Sequence, residues 1–230
     1  MLTSSTRTCG HDDVAATLAC EIISGARPAG SRMPTVEEMH HRFGVSRVLT
    51  REVTKTLTAK GLIVAKSKVG TLVLPAERWN WIDPDFLAWR VRIGMDVEFF
   101  RQLHQIRRAV EPAAAALATE RCSSGLLQEL SEALDGMSRA GGDPRAFAEA
   151  DLRFHLALIE ASGNPLFRSF ASVVRTALSA SLSLTAPLDS AAIVAVVDRH
   201  AAIAHAVQAG DAERAARAML DVIGDAKIDF

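Results

Sequence analysis

Apolar residues recur at helical spacing along most of the chain, and only one short stretch alternates as strands do. The first helix is predicted from four apolar residues that share one face: Val14, Leu18, Ala19 and Ile22. A capping box formed by Thr35 and Glu38 predicts the start of a second helix, and Ser46 predicts the start of a third. After the third helix, LIVAK and TLVLP flank SKVG, a pattern typical of a small β-hairpin.

From residue 96 onward the apolar positions follow the helical period throughout. The predicted helices span 96–120, 124–139, 143–162, 165–185, 190–209 and 211–228. Six helices joined by short loops are typical of a bundle. Residues 76–95 hold all three tryptophans and predict a packed linker followed by a short helix. The pattern therefore predicts a mainly α protein with an N-terminal domain at 1–75, a linker at 76–95 and an all-α antiparallel helical bundle at 96–230.

Charge is distributed unequally between the two halves of the chain. Residues 1–75 carry 10 Lys+Arg against 6 Asp+Glu, while the remainder carries 16 against 21. A basic N-terminal segment favours contact with a polyanion. No apolar run reaches the roughly 18 residues that a membrane span needs. The three cysteines lack metal-ligand spacing and fit reduced thiols, so we expect a cytoplasmic protein with no membrane partner.

Residues 35–60 have the order of a helix-turn-helix: a short helix, a tight turn at Gly44 and a longer second helix. With the hairpin they predict a winged helix-turn-helix domain. Leu49, Val53 and Leu57 are expected to face its core. The residues predicted to contact double-stranded DNA are Ser46, Arg47, Thr50, Arg51 and Lys55 in the second helix and Lys66, Lys68 and Gly70 in the wing. For any one of them, an ordinary solvated helix face is the alternative.

The segment DLRFHLAL at 151–158 places a carboxylate and an imidazole four residues apart in a run that otherwise predicts a buried helix. Asp151 and His155 are therefore expected on the same face, one turn apart. Because buried polar groups need partners, the pair predicts either a simple hydrogen-bonded couple or part of a ligand site.

The ordered pattern of the N-terminal domain resembles the winged helix of the GntR regulator family. The matching residues are P-x-G-x-x-x-P, F-G-V-S-R-x-x-x-R-E-V, L-x-x-x-G-L-I and G-T-x-V, over most of residues 11–74. The resemblance implies a DNA-binding transcriptional regulator, and we expect a homodimer on a palindromic operator. One departure is Glu37, which stands where the family often has a DNA-contacting arginine, so we expect one base contact to differ.

The helical remainder resembles the effector-binding domain of the FadR-type, or FCD, branch of that family. The motifs that carry this resemblance are I-R-R-A-V-E-P-A-A-A-A-L-A at 106–118, A-D-L-R-F-H at 150–155, G-N-P-L at 163–166 and D-R-H-A-A-I…A-G-D at 198–211. The branch implies a dimerisation and effector domain with a divalent metal ion (zinc first, nickel or manganese otherwise) bound by Asp151, His155 and His200. It also implies a small carboxylate effector near Arg107, with Asn164 and Lys227 as further pocket candidates.

The same comparison leaves the metal open. Val222 stands where the branch often has a further histidine, so at most three of the usual ligands are present. The alternative is a metal-free site in which Asp151, His155 and His200 act as hydrogen-bonding groups.

The linker narrows the expected effector. E-R-W-N-W-I-D-P-D-F-L-A-W at 77–89 resembles the corresponding stretch of sugar-acid-sensing members of the branch. This implies a repressor of sugar-acid catabolism that responds to a galactonate-like acid. Two alternatives are the same regulator with a fatty acyl or amino-acid effector, and a small metallohydrolase that uses the Asp151/His155/His200 site. The helix-turn-helix and the lack of an obvious general base favour a regulator over an enzyme.

Overall fold

The computed structural model describes residues 10–185 and 190–224. The chain divides into two units, with the boundary between Gly94 and Met95. The N-terminal unit contains helices α1 (His11–Ile23), α2 (Val36–Phe43) and α3 (Arg47–Ala59), strands β1 (Ile63–Lys66) and β2 (Gly70–Val73), a 3-10 helix (Ala76–Arg78) and α4 (Pro84–Arg92). The strands pair antiparallel, with Ile63 opposite Val73 and Lys66 opposite Gly70. The predicted winged helix-turn-helix is confirmed.

Side-chain caps set the helix boundaries of the helix-turn-helix. The Thr35 hydroxyl accepts a hydrogen bond from the Glu38 N–H at 3.2 Å, and Glu38 Oε2 accepts one from the Thr35 N–H at 2.7 Å. Gly44 ends α2 at φ +68°, a conformation that glycine adopts without strain. The Ser46 hydroxyl then caps α3 by accepting from the Leu49 N–H.

The tryptophan-rich segment packs within the N-terminal unit. Phe86 and Leu87 of α4 are at most 1% exposed, and Trp89 is 8% exposed. Trp79 and Trp81 pack around Phe86, with ring centroids 5.7 and 5.0 Å from it. Phe86 and Trp89 therefore share one core with α1, α2 and α3, whose members include Val14, Leu18, Met39, Val53 and Leu57.

The C-terminal unit is helical in every element that the structure describes. Its helices are α5 (Val97–Thr119), α6 (Ser124–Arg139), α7 (Pro144–Ala161), α8 (Pro165–Arg168), α9 (Ala171–Thr185), α10 (Ser190–Gln208) and α11 (Ala212–Ile223). Five of them begin at a side-chain cap, supplied by Asp96, Ser123, Asp143, Asn164 and Asp211. The predicted mainly α fold is thus confirmed.

One predicted helix is interrupted. Residues 165–185 form two helices, α8 and α9, because the backbone tightens at Ser169 and Phe170. The N–H groups of these residues donate to Leu166 and Phe167 oxygens three positions back, at 3.1 and 2.9 Å. Such three-residue hydrogen bonds break the regular α-helical ladder.

Helix α7 is buried on two sides. Phe154 and Leu158 pack in a core with α5, α6, α10 and α11, while Ile159 packs in a second cluster with α9. Burial on both sides fixes the rotation of α7, and with it the direction of Asp151 and His155. Among the described residues, no helix is long and apolar enough to span a membrane.

Candidate functional site

Three predicted ligand residues come together inside the C-terminal unit. Asp151 and His155 lie one turn apart on α7, and His200 reaches them from α10. His200 Nε2 lies 2.9 Å from Asp151 Oδ1, His155 Nε2 lies 3.6 Å from the same oxygen, and the two Nε2 atoms are 3.4 Å apart. The histidine side chains are 1% and 3% exposed, and that of Asp151 is 15% exposed.

The second nitrogen of each histidine lies beside an oxygen atom. His200 Nδ1 donates to the Val196 carbonyl at 2.8 Å, because a carbonyl can only accept. His155 Nδ1 lies against the carboxylate of Glu111. Both contacts favour a proton on Nδ1, and both Nε2 atoms face the carboxylate of Asp151.

Helix α5 contributes a buried charged pair to the same region. Arg107 Nε donates to Glu111 Oε1 at 2.6 Å, and Arg107 Nη2 lies 3.5 Å from His155 Nε2. Arg107 is 5% exposed and Glu111 1%. Sequence reasoning assigned Arg107 but not Glu111, although the two stand four residues apart on one helix face and both fall within a family motif. Their i,i+4 spacing was the available signal.

The electrostatics of the site are those of a buried network of opposite charges. Burial alone would raise the pKa of Glu111, but His155 and Arg107 outweigh it and lower that pKa to about 2. Burial would likewise lower the pKa of His155, but Glu111 and Asp151 raise it to about 9. Burial alone would raise the pKa of Asp151, but the neighbouring imidazoles of His155 and His200 outweigh it and lower that pKa. Both carboxylates are therefore ionised at neutral pH.

The other predicted pocket residues have different surroundings. Asn164 Oδ1 accepts from the Leu166 N–H at 3.0 Å, so its side chain caps α8. Lys227 lies outside the described residues. Val222 is half-buried and packs against the main core of the unit.

In the N-terminal unit, the recognition helix exposes most of the predicted DNA-contacting residues. The N-cap Ser46 and the α3 residues Arg47, Arg51 and Lys55 are exposed. Thr50, in contrast, is 5% exposed, and its hydroxyl donates to the Ser46 carbonyl at 3.1 Å. The prediction of Thr50 as a base-contacting residue is therefore corrected. Thr50 precedes Val53 by three positions and Leu57 by seven, so helical phase places it on the inner face.

The wing residues are exposed as well. Lys66, Lys68 and Gly70 all lie on the solvent side of the hairpin. Lys68 and Gly70 have positive φ angles of 62° and 103°, which turn the chain tightly between the strands. Glu37, in the first turn of α2, is also exposed.

Comparison with known protein families identifies the class of both units. Residues 11–73 match the model of the bacterial regulatory proteins of the gntR family, and residues 102–225 match the FCD domain. The chain therefore belongs to the GntR family, FCD branch, and is a DNA-binding transcriptional regulator. Because the members of this family are transcriptional regulators, the metallohydrolase alternative is wrong. Glu111 adjoins His155 on the side away from the Nε2 atoms and is paired with Arg107.

Individual relatives cover nearly the whole chain. The galactonate operon transcriptional repressor of Escherichia coli K12 is 32% identical over 212 residues, which is 92% of this chain and 93% of that protein. The regulator LutR of Bacillus subtilis 168 is 30% identical over 86% of this chain and 91% of its own length. Among solved structures, Lar of Listeria monocytogenes shares the fold with a TM-score of 0.57, at 20% identity and 92% coverage of each chain.

Proposed function

We propose that this regulator is a repressor of a sugar-acid catabolic operon, and that a galactonate-like acid bound in the C-terminal unit releases it from DNA. The observation that carries the proposal is the convergence of Asp151, His155 and His200 next to the buried guanidinium of Arg107. The galactonate operon repressor, 32% identical over almost the full length, supports the choice of effector class.

The three side chains fit a divalent metal ion. Zinc bonds of about 2.0–2.1 Å in a tetrahedron hold ligand atoms about 3.3 Å apart. The ligand atoms of Asp151, His155 and His200 are separated by 2.9, 3.4 and 3.6 Å. Nitrogen and carboxylate ligands suit zinc, nickel or manganese, and three of them leave positions for further ligands. When bound, such an ion would offer those positions to the carboxylate and neighbouring hydroxyl of a hydroxy acid.

The Arg107 side chain would orient the effector. Glu111 engages Nε and approaches Nη2 at 3.4 Å, which holds the guanidinium plane in place. A guanidinium held in this way offers its remaining N–H groups to a carboxylate in fixed geometry. The partial exposure of Asp151, compared with the closed environment of both histidines, makes the Asp151 side the route by which a ligand would enter.

On DNA, the exposed face of α3 would enter the major groove. Arg47 and Arg51 would read base edges, and Ser46 and Lys55 would contact phosphates, as would Lys66 and Lys68 of the wing. A homodimer would place two such units on the half-sites of a palindromic operator. Effector binding would release DNA only to the extent that the acid binds more tightly to the released state than to the DNA-bound state.

The proposal is tested by thermal unfolding of the full chain with a panel of acids, after chelation and after adding back zinc, nickel or manganese. D-galactonate with metal should raise the unfolding temperature, because a ligand selective for the folded state stabilises it. Galactose, which lacks the carboxylate, is the matched control. Operator binding, followed by fluorescence anisotropy, should weaken at the same galactonate concentrations.

Each outcome has a definite meaning. Stabilisation by a fatty acyl or amino-acid compound in place of sugar acids would refute the effector class. Stabilisation by galactonate without any metal, in protein that elemental analysis shows to be metal-free, would refute the metal and favour the hydrogen-bonded triad. In that version His200 Nε2 and Asp151 Oδ1 keep their 2.9 Å contact.

A further inference from the structure

Lys60, which follows the last turn of α3, is a buried lysine that DNA contact does not explain. The residue is only 8% exposed. Its ammonium donates to Asp83 Oδ1 at 2.7 Å and lies 2.7 Å from Asp85 Oδ2. It also lies 5.5 Å from the ring centre of Trp89. All three partners belong to α4 or its N-cap, so one side chain ties the end of α3 to α4.

Backbone contacts reinforce this connection at the same place. The Asn80 N–H donates to the Lys60 carbonyl at 2.9 Å. The carbonyl of Arg78 approaches Gly61 so closely that a Cβ there would lie 2.1 Å from it. Only a glycine therefore allows the linker to cross the end of α3 at this distance.

Stability alone does not account for the Lys60 cluster, by which we mean Lys60, Asp83 and Asp85. Phe86 and Leu87 already bury the apolar face of α4, and apolar burial is not directional. A buried ion pair adds little net stability because desolvation opposes the Coulomb attraction, which leaves a role in geometry as the hypothesis to test. Burial would lower the pKa of Lys60, yet Asp83 and Asp85 raise it, so the side chain stays charged.

We propose that Lys60 is a positioning residue for operator recognition. By holding α4 against the C-terminal end of α3, it sets the direction in which the chain leaves the DNA-binding unit near Gly94. The inference rests on the proposed binding of paired half-sites by a homodimer. A fixed exit limits two recognition helices to one separation, whereas a released α4 lets each unit reach half-sites over several separations.

The test compares operators that differ only in half-site spacing. A consensus operator is selected from random duplex DNA with the full wild-type chain, and one base pair is then inserted or removed at its centre. The wild type should lose about tenfold in affinity, similar to the loss from a mismatched base pair. Lys60→Met, which keeps the side-chain length without the charge, should lose about threefold or less.

A second variant separates geometry from charge. The double variant Asp83→Ser/Asp85→Asn removes the charged partners of Lys60, while the serine keeps the N-cap of α4. This variant makes the net charge of the DNA-binding unit more positive, whereas Lys60→Met makes it less positive. Both variants should lose the discrimination between half-site spacings. A change in general attraction to DNA phosphates would not produce this result, because the two variants change the charge in opposite directions. Asp12→Asn, which changes a fully exposed α1 side chain that does not contact Lys60, is the control and should keep spacing discrimination.

The results decide between this inference and its foundation. If the wild type discriminates spacing and both cluster variants do so equally, Lys60 has no positioning role. If the wild type itself shows no spacing preference, the paired half-site part of the proposed function fails, and the inference fails with it. Thermal unfolding checks that each variant is folded. If Lys60→Met does not fold, the Asp83→Ser/Asp85→Asn variant alone decides whether the cluster has a positioning role.

Discussion

The buried ion pair of Arg107 and Glu111 on α5 allows a quantitative prediction about the free energy of unfolding. Glu111→Gln keeps the shape of the side chain but removes its charge. Arg107 Nε, 2.6 Å away, then loses its counter-ion, and so does His155 when protonated. Removing one partner of a buried ion pair costs about 3–5 kcal/mol, because the remaining charge is left uncompensated.

The pKa of Glu111 provides an independent check of this magnitude. It is lowered from its usual 4.5 to about 2, and a shift of this size corresponds to about 3 kcal/mol. Because the pKa is depressed in the folded state, the stabilisation is fully present above pH 4.5 and is lost as the pH falls through 2. Both routes predict that Glu111→Gln lowers the free energy of unfolding by about 3 kcal/mol or more at pH 7.

The assay is urea unfolding of chelator-treated protein at pH 7 and at several lower pH values. Glu98→Gln is the matched control, since Glu98 pairs with Arg101 on the same helix but both side chains are exposed. This control should leave the unfolding midpoint unchanged within error. Equal effects of the two substitutions on the free energy of unfolding would refute the reasoning. So would a difference in unfolding free energy between the wild type and Glu111→Gln that does not shrink as the pH is lowered.

Three further predictions concern the DNA-binding face and the ligand site. Arg51→Ala should weaken operator binding about 10- to 100-fold in an anisotropy titration, whereas Thr50→Val, which removes a buried hydroxyl, should leave it nearly unchanged; equal losses would return Thr50 to the DNA-contacting set. Metal affinity, measured by calorimetry, should rise about tenfold per pH unit from pH 7 to 9, because the raised pKa of His155 means that the metal must displace its proton. An affinity independent of pH would exclude His155 as a ligand. Arg107→Lys should bind operator normally but need about tenfold more galactonate for release, and an unchanged response would remove Arg107 from the pocket.

The sequence by itself determined the features that depend on near neighbours. The Thr35–Glu38 capping box and the Ser46 cap set helix starts through residues three positions apart, and the structure has these contacts. The four-residue spacing of Asp151 and His155 likewise placed both on one face of α7. Family motifs then indicated the third member, His200, which helical periodicity could not assign.

Tertiary structure decided whatever depends on how helices rotate and pack. His200 meets His155 across 45 positions of sequence, and Glu111 meets it across 44, because α5, α7 and α10 bury their apolar faces together. Thr50 turned inward because it shares a face with Val53, although the helix-turn-helix pattern predicted contact with DNA at this position. Three tryptophans predicted a packed linker, but only the structure showed that α4 packs in the core of the N-terminal unit. Local patterns set short-range hydrogen bonds and faces, whereas the choice among partners follows from the burial of the whole chain.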